Sequence, residues 1–396
     1  MRFNRFLKEN LNDAVRLFDP SGRADLFLKS FCSERRIGKR DRIWLADRFF
    51  FYHRHKFLFD SLADDPEKLA EIVSEFYEDE LDDGLKAKVG ELEKSGGFDA
   101  LFNRSFPQFL TGRIEARFGG GAFSWFNSKP AVHLRVNTAK YLVGEVMREL
   151  ENEGFSTFRS PVSPCGLILE QTQKSLKNSK CYENGSIEFQ DESSQLAACL
   201  VNPETGSLFD ACAGGGGKSL AVASLFPGIK ITASDNRTFI FDEIRSRAVR
   251  AGADIAAKPF AEVKNQKFDT VLVDAPCSGS GVLRRNPADR WRISAGSVAE
   301  IATLQFELLT KFSRLVTEKG EIIYVTCSFL EEENEMVVGR FLAENPGFEL
   351  LPAAERLRGS LPDDAGLPEI VEGDFFRVSP GHERDILFGA VLRRKF

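Results

Sequence analysis

Three short stretches of this chain carry residue types at spacings that chemistry can use. LFDACAGGGGKS (208–219) ends an apolar strand on an acid and then runs through four glycines into a helix. A turn of that kind lets backbone approach a ligand closely and offers N–H groups at a helix N-terminus. ITASD (231–235) closes a second apolar strand on Asp235, where a carboxylate can accept both hydroxyls of a ribose. FDTVLVDAPCSGSG (268–281) ends a third strand at Asp274 and sets Pro276 and Cys277 just beyond it, and EIIYVTCSFLEEENE (321–335) delivers Cys327 from a fourth. Open α/β sheets bind ligands at the carboxyl edge of their strands, so two thiols and an acid converge on one rim. A single cysteine at a strand end is ordinarily packing; two of them beside a glycine loop favour chemistry.

The loop and Asp235 describe a nucleoside cofactor site formed by Cys212, Ala213, Gly214, Gly215, Gly216, Gly217, Lys218 and Asp235, with Asp274 at its edge. A phosphate-binding P-loop requires glycine six residues before its lysine, and Cys212 stands there instead. A dinucleotide enzyme would show GxGxxG near an N-terminal first strand, which is missing. S-adenosylmethionine fits better, because it has a ribose and a zwitterionic tail but no phosphate.

The elements that must position these residues follow from hydrophobic period. Up to about residue 110 the apolar spacing is helical, as in RDRIWLADRFFFYHRH and PEKLAEIVSEFY, and three glycines at 119–121 with Pro130 mark a break. AVHLRVNT, FSTFRSP and GLILEQ read as strands around a helix in KYLVGEVMRELENEGF. From FQDESSQLAACLV onward, strands and helices alternate, the pattern of a doubly wound α/β sheet. The expected organisation is a helical domain over 1–125, a small α+β subdomain over 126–188 and an α/β domain over 189–396.

Composition narrows the class. The 396 residues are 42% hydrophobic and 28% charged, too apolar for disorder, and no run approaches the ~20 apolar residues of a membrane span. The first residues lack an apolar signal core, so a cytoplasmic protein is expected. Seven cysteines without a CxxC pair argue against a disulfide framework or structural zinc. Of four histidines, His53 and His55 are close in sequence but diverge on a helix, so no metal is expected. The net charge of −6 hides an asymmetry: residues 1–60 carry 14 Lys/Arg against 8 Asp/Glu, whereas 61–100 carry 13 acids against 4 lysines. The basic head is either a phosphate-facing surface or a set of solvated helix faces.

QDESSQL (190–196), DACAGGGGKS, DAPCSGSG and TCSFLEEENE, in this order, resemble the RsmB/Sun (Fmu) family of RNA cytosine-5 methyltransferases. HLRVN (133–137) resembles the entry to that family's RNA-binding subdomain, and RRIGKRDRIWLADRFFFYHRHK resembles its NusB-like helical domain. The resemblance implies a Rossmann-like methyltransferase domain behind an all-α domain and a small α+β subdomain. It implies methylation of cytosine carbon 5 in RNA, most directly 16S ribosomal RNA, by a cytoplasmic monomer using S-adenosylmethionine. A tRNA substrate is the alternative within the class, and an RNA-binding assembly factor with a vestigial fold is the alternative outside it. Carbon 5 of cytosine is too weak a nucleophile to take a methyl group from a sulfonium unless a thiolate first adds at carbon 6. The resemblance makes Cys327 that nucleophile, Asp274 the group beside the base and Cys277 the thiol that assists release.

Departures from the family pattern accompany the matches. Gly214-Gly215 stand where Ala-Pro is usual, which implies a more flexible loop. Phe260 occupies the expected place of an acid near the adenine, unless that acid has moved to Asp254 or Glu262. Near the C-terminus Arg377, Pro380, His382 and Asp385 match, while Ile386-Leu387-Phe388 replace Gly-Phe-Phe. For RNA contact the candidates are Arg284, Arg285, Arg135 and the basic residues of 35–56, with Phe49 to Tyr52 either stacking on bases or forming a helix core.

Overall fold

Helical spacing in the first third of the chain produces helices whose apolar stripes meet in one core. Helix Lys39–Arg54 buries Leu45, Phe49 and Tyr52 at intervals of four and three, against Leu11 and Ala14 of helix Arg5–Leu17. The computed structural model describes residues 5–170, 175–361, 367–380 and 383–396, so His382 lies outside the described residues. The chain divides into two compact units, 1–129 with 282–297 and 130–281 with 298–396. Among the described residues, no helix is long and apolar enough to cross a membrane.

In the helical unit the aromatic run is core. Phe49 is fully buried, and His53 packs at 4.4 Å from its ring. His55 stacks on Phe102 at 3.7 Å while its Nδ1 pairs with the Phe102 carbonyl at 2.8 Å. Burial, reinforced by nearby cations, drives the imidazole of His53 down to about 3. Base stacking by Phe49 and Tyr52 is therefore excluded in this conformation. Helix Gln108–Phe118 ends on Gly119 at φ 76° and ψ 170°, a positive-φ conformation that suits glycine.

Residues 282–297, which a linear reading assigns to the α/β domain, pack within the helical unit. Arg290 donates to the carbonyls of Arg54 (3.2 Å) and Ser105 (3.0 Å) and to Asn127 Oδ1 (3.0 Å), over the ring of Phe106. Arg284, 1% exposed, lies over Trp125 and donates to the Lys129 carbonyl at 3.1 Å. Its expected role in meeting phosphate is corrected: the guanidinium is sequestered by an aromatic face and a carbonyl, and a backbone phosphate has no access to it.

The second unit contains two sheets. The smaller joins β1 (Val132–Val136), β2 (Thr157–Arg159), β3 (Gly166–Leu169) and β4 (Ile187–Phe189) in the antiparallel order β2-β3-β1-β4. Helices Val143–Asn152 and Lys180–Glu183 follow β1 and β3, which makes a βαββαβ unit. Arg135 of β1 is buried and donates to Gln190 Oε1 at 2.6 Å, so it too is a structural residue and not a phosphate contact.

The larger sheet contains β5 (Ser207–Asp210), β6 (Lys230–Ala233), β7 (Ile255–Ala257), β8 (Phe268–Asp274) and β9 (Val316–Thr326). These five are parallel in the order β9-β8-β5-β6-β7. Beyond β9 run β10 (Phe348–Leu351), β11 (Val371–Glu372), β12 (Phe375–Arg377) and β13 (Phe388–Arg394), with β13 antiparallel to β9 and paired to both β10 and β12. The strand order reverses between β5 and β8, which opens a ligand crevice at their carboxyl ends. The replaced Ile386-Leu387-Phe388 enters β13, whose Phe388 pairs with Thr326.

Candidate active site

The glycine loop leaves β5 at Asp210, a fully buried carboxyl that accepts from the Ser219 hydroxyl at 2.6 Å. Burial pushes this acid up to about 7, partly offset by the Ser219 bond. Asp210 ends the strand in the sequence motif, yet only the structure shows it reaching across the loop to the following helix. Gly214 and Gly216 have φ of 53° and 77°, and Gly216 is the N-cap residue of helix Gly217–Leu225. A Cβ on Gly216 would come within 3.3 Å of Ile244, so both conformation and space call for glycine. The Gly215 carbonyl accepts from Arg247 at 2.5 Å, and a Cβ there would strike Arg247 and Glu243 at 2.8 Å. The loop is thus braced from outside by an arginine rather than left loose. Cys212 is half-buried on the same turn, its thiol held protonated by burial and by Asp210.

Asp235 stands beyond β6 and is drawn into the same turn, where one oxygen accepts from Gly214 N–H at 2.9 Å. Arg237 occupies the carboxylate as well, with Nε at 2.9 Å and Nη2 at 3.0 Å. Burial alone would raise Asp235, but these donors outweigh it and hold the acid below its ordinary value. A ribose that takes this carboxylate has to displace Arg237, whose side chain is 45% exposed and has solvent to move into. The turn offers an N–H, positive-φ backbone and a strand-end acid, and these residues fit a nucleoside cofactor.

Lys218, on the first turn of the helix, reaches Asp274 at 2.7 Å. Burial pulls the ammonium down, yet the carboxylates of Asp274 and Asp210 and the charge of Cys327 leave it above its ordinary value. The register of β8 with β9 pairs Asp274 with Val325, so Cys277 and Cys327 leave adjacent parallel strands a few residues further on. Their sulfurs lie 3.1 Å apart. The Cys327 carbonyl accepts from Gly281 N–H at 2.9 Å, and a Cβ on Gly281 would meet the Ile386 carbonyl at 2.4 Å. The Cys277 thiol is raised well above its ordinary value by the hydrogen bond to Cys327, by burial and by the charges of Cys327 and Glu333. Glu333 is one of three consecutive glutamates; nothing in that run distinguishes the buried one.

Phe260 opens the short helix Phe260–Val263 and packs edge-on to Phe312 at 5.5 Å, with Lys311 Nζ 4.1 Å from its ring centre. Asp254 and Glu262 are both exposed.

Residues 197–393 match the family model described as 16S rRNA methyltransferase RsmB/F, and 106–175 match the RsmF/B-like ferredoxin-like domain. The chain is similar to the ribosomal RNA small subunit methyltransferase B of Klebsiella pneumoniae (31% identity, 63% of this chain and 59% of that one). It is also similar to the probable ribosomal RNA small subunit methyltransferase B of Bacillus subtilis (33%, 56% and 51%). It therefore spans between half and six-tenths of the length of these relatives. The crystal structure of a methyltransferase homolog from Pyrococcus horikoshii superposes on it with a TM-score of 0.61 at 25% identity, covering 75% of this chain and 98% of that one. The two family matches overlap the βαββαβ unit and the doubly wound sheet just described, and the chain belongs to the RsmB/F methyltransferase family.

Proposed function

We propose that the protein methylates carbon 5 of a cytosine in RNA, using S-adenosylmethionine and a transient cysteine adduct at carbon 6. The observation that carries this reading is the pair of thiols in contact at the strand rim, beside a nucleoside-type glycine turn. A protein that only bound RNA would have no use for two such thiols. The description of the matched family, together with the names of the relatives, extends the proposal to 16S ribosomal RNA as substrate. The reading takes the protein to act as a monomer in the cytoplasm.

Asp235 and the turn from Cys212 to Lys218 hold the cofactor, which when bound supplies an electrophilic methyl group. Cys327 adds to carbon 6 of the ring, and carbon 5 gains the electron density that a methyl acceptor needs. Asp274, anchored by Lys218, accepts a hydrogen bond from the exocyclic amine of cytosine, a donor that uracil lacks. Once carbon 5 carries the methyl group, its proton leaves to a base and the electrons of that bond expel Cys327. Cys277 lies within a hydrogen bond of the departing sulfur and takes part in this proton movement. The target base is single-stranded or flipped out, because carbon 6 is otherwise stacked away from a thiolate.

The test is incubation of the protein with RNA and tritiated S-adenosylmethionine, followed by mapping of 5-methylcytosine. The expected result is label at a defined cytosine, no turnover in Cys327→Ala, and an SDS-stable protein–RNA adduct in Cys277→Ala. An active Cys327→Ala enzyme would overturn the assignment of the nucleophile.

A further inference from the structure

Glu333 is fully buried between the two turns that carry the thiols. One of its oxygens accepts from the backbone N–H of Ser278 at 2.7 Å and from Gln305 Nε2 at 3.0 Å. The other accepts from the hydroxyls of Ser278 and of Ser328, the latter at 2.7 Å. Four donors converging on two oxygens match an acceptor-only carboxylate. Ser278 follows Cys277 and Ser328 follows Cys327, so one acid is bonded to the neighbour of each thiol. The serines are also tied through Ser280, whose hydroxyl lies 2.9 Å from that of Ser328. Among the described residues, no lysine or arginine forms an ion pair with Glu333.

The arrangement is lopsided, because Ser278 gives this carboxylate two hydrogen bonds and Ser328 gives it one. A buried carboxylate without a cation projects its negative charge through a medium of low dielectric, which disfavours a thiolate beside it. Cys277, whose next residue donates two hydrogen bonds to that carboxylate, feels this charge. On the other side, the ammonium of Lys218 and the charge of Cys327 act on each other. We propose that Glu333 is a positioning residue that locks the Cys277 and Cys327 turns in contact and keeps the proton of the pair on Cys277. The inference rests on the two-thiol reading above, and it gives the two members of the pair different roles.

The test reads thiol ionisation directly and does not depend on turnover. Alkylation of Cys277 by iodoacetamide is followed by peptide mass spectrometry against pH in a Cys327→Ser background, with and without Glu333→Gln. Loss of one nearby buried charge is expected to speed Cys277 alkylation at pH 8 by about threefold to tenfold. Glu333→Asp, which keeps the charge, is expected to restore the slow rate, an outcome that a purely structural role does not predict. An unchanged Cys277 rate in Glu333→Gln overturns the proposal. If that variant does not fold, the two single-thiol proteins decide: a Cys277 midpoint in Cys327→Ser above the Cys327 midpoint in Cys277→Ser is expected, and equal or reversed midpoints overturn the proposal. Methylation assayed on the wild type separates the two readings. Activity with an unresponsive Cys277 removes only the role of Glu333, whereas a responsive Cys277 without methylation of any RNA removes the proposed reaction.

Discussion

Asp210→Asn tests whether the foundation of the cofactor turn holds a proton. The carboxyl has an ordinary value of 3.8 and is raised to about 7 in the fold, chiefly by burial. Folding therefore takes up a proton between those values, and the stability contributed by the protonated acid is complete below pH 4 and lost as the pH climbs through 7. A shift of about three units corresponds to about 4 kcal/mol, of which about 3 kcal/mol falls between pH 5 and pH 8. Asparagine is nearly isosteric, does not titrate, and can keep a bond to the Ser219 hydroxyl, which is free to reverse its donor role. Between pH 5 and pH 8 the difference in stability between variant and wild type is expected to move by about 3 kcal/mol in favour of the variant. Hydrogen exchange of the β5 amides in increasing urea gives the free energy of the unit that contains this strand. Because every other titrating group is shared, the difference between the proteins isolates Asp210. A difference of the same size at both pH values would refute the buried-proton argument.

Gly216→Ala forces a side chain into left-handed backbone 3.3 Å from Ile244 and should cost about 1–2 kcal/mol, read as a lower Tm. Arg237→Ala removes the guanidinium from both oxygens of Asp235 and leaves only their backbone donors, and S-adenosylmethionine affinity measured by calorimetry should rise about twofold to fivefold, the worth of a half-exposed ion pair. A weaker affinity would mean that Arg237 itself contacts the cofactor. Arg290→Ala leaves the carbonyls of Arg54 and Ser105 and the Asn127 amide without their donor, at a cost of about 3 kcal/mol or more to the helical unit. Trp44, Trp125 and Trp291 all lie in that unit, so tryptophan fluorescence reports its unfolding alone.

The strand–turn–helix at 208–219 and the strands ending at Asp235, Asp274 and Cys327 were legible because each is a short apolar run closed by a turn signal, and periodicity is local information. β7 and β10 to β12 were not anticipated. They are two to four residues long, and pairing with β6, β12 or β13 rather than their own pattern makes them strands. The basic residues misled for a related reason. Arg135 and Arg284 sit in motifs that invite a phosphate, but a guanidinium is amphipathic and can be buried when an amide, a carbonyl or an aromatic face receives it. The sequence lists charges and does not list their partners.

By itself, then, the sequence determined the chemistry available: a glycine turn, a ribose-type acid and two strand-end thiols, each specified within about a dozen neighbouring residues. Only the tertiary structure decided how they combine. The β8–β9 register brings Cys277 and Cys327, fifty residues apart, to 3.1 Å. The tertiary structure also selects Glu333 from three adjacent glutamates and sends 282–297 into the helical unit. Such choices depend on hydrogen bonds and desolvation between groups distant in the chain, and no local pattern encodes them.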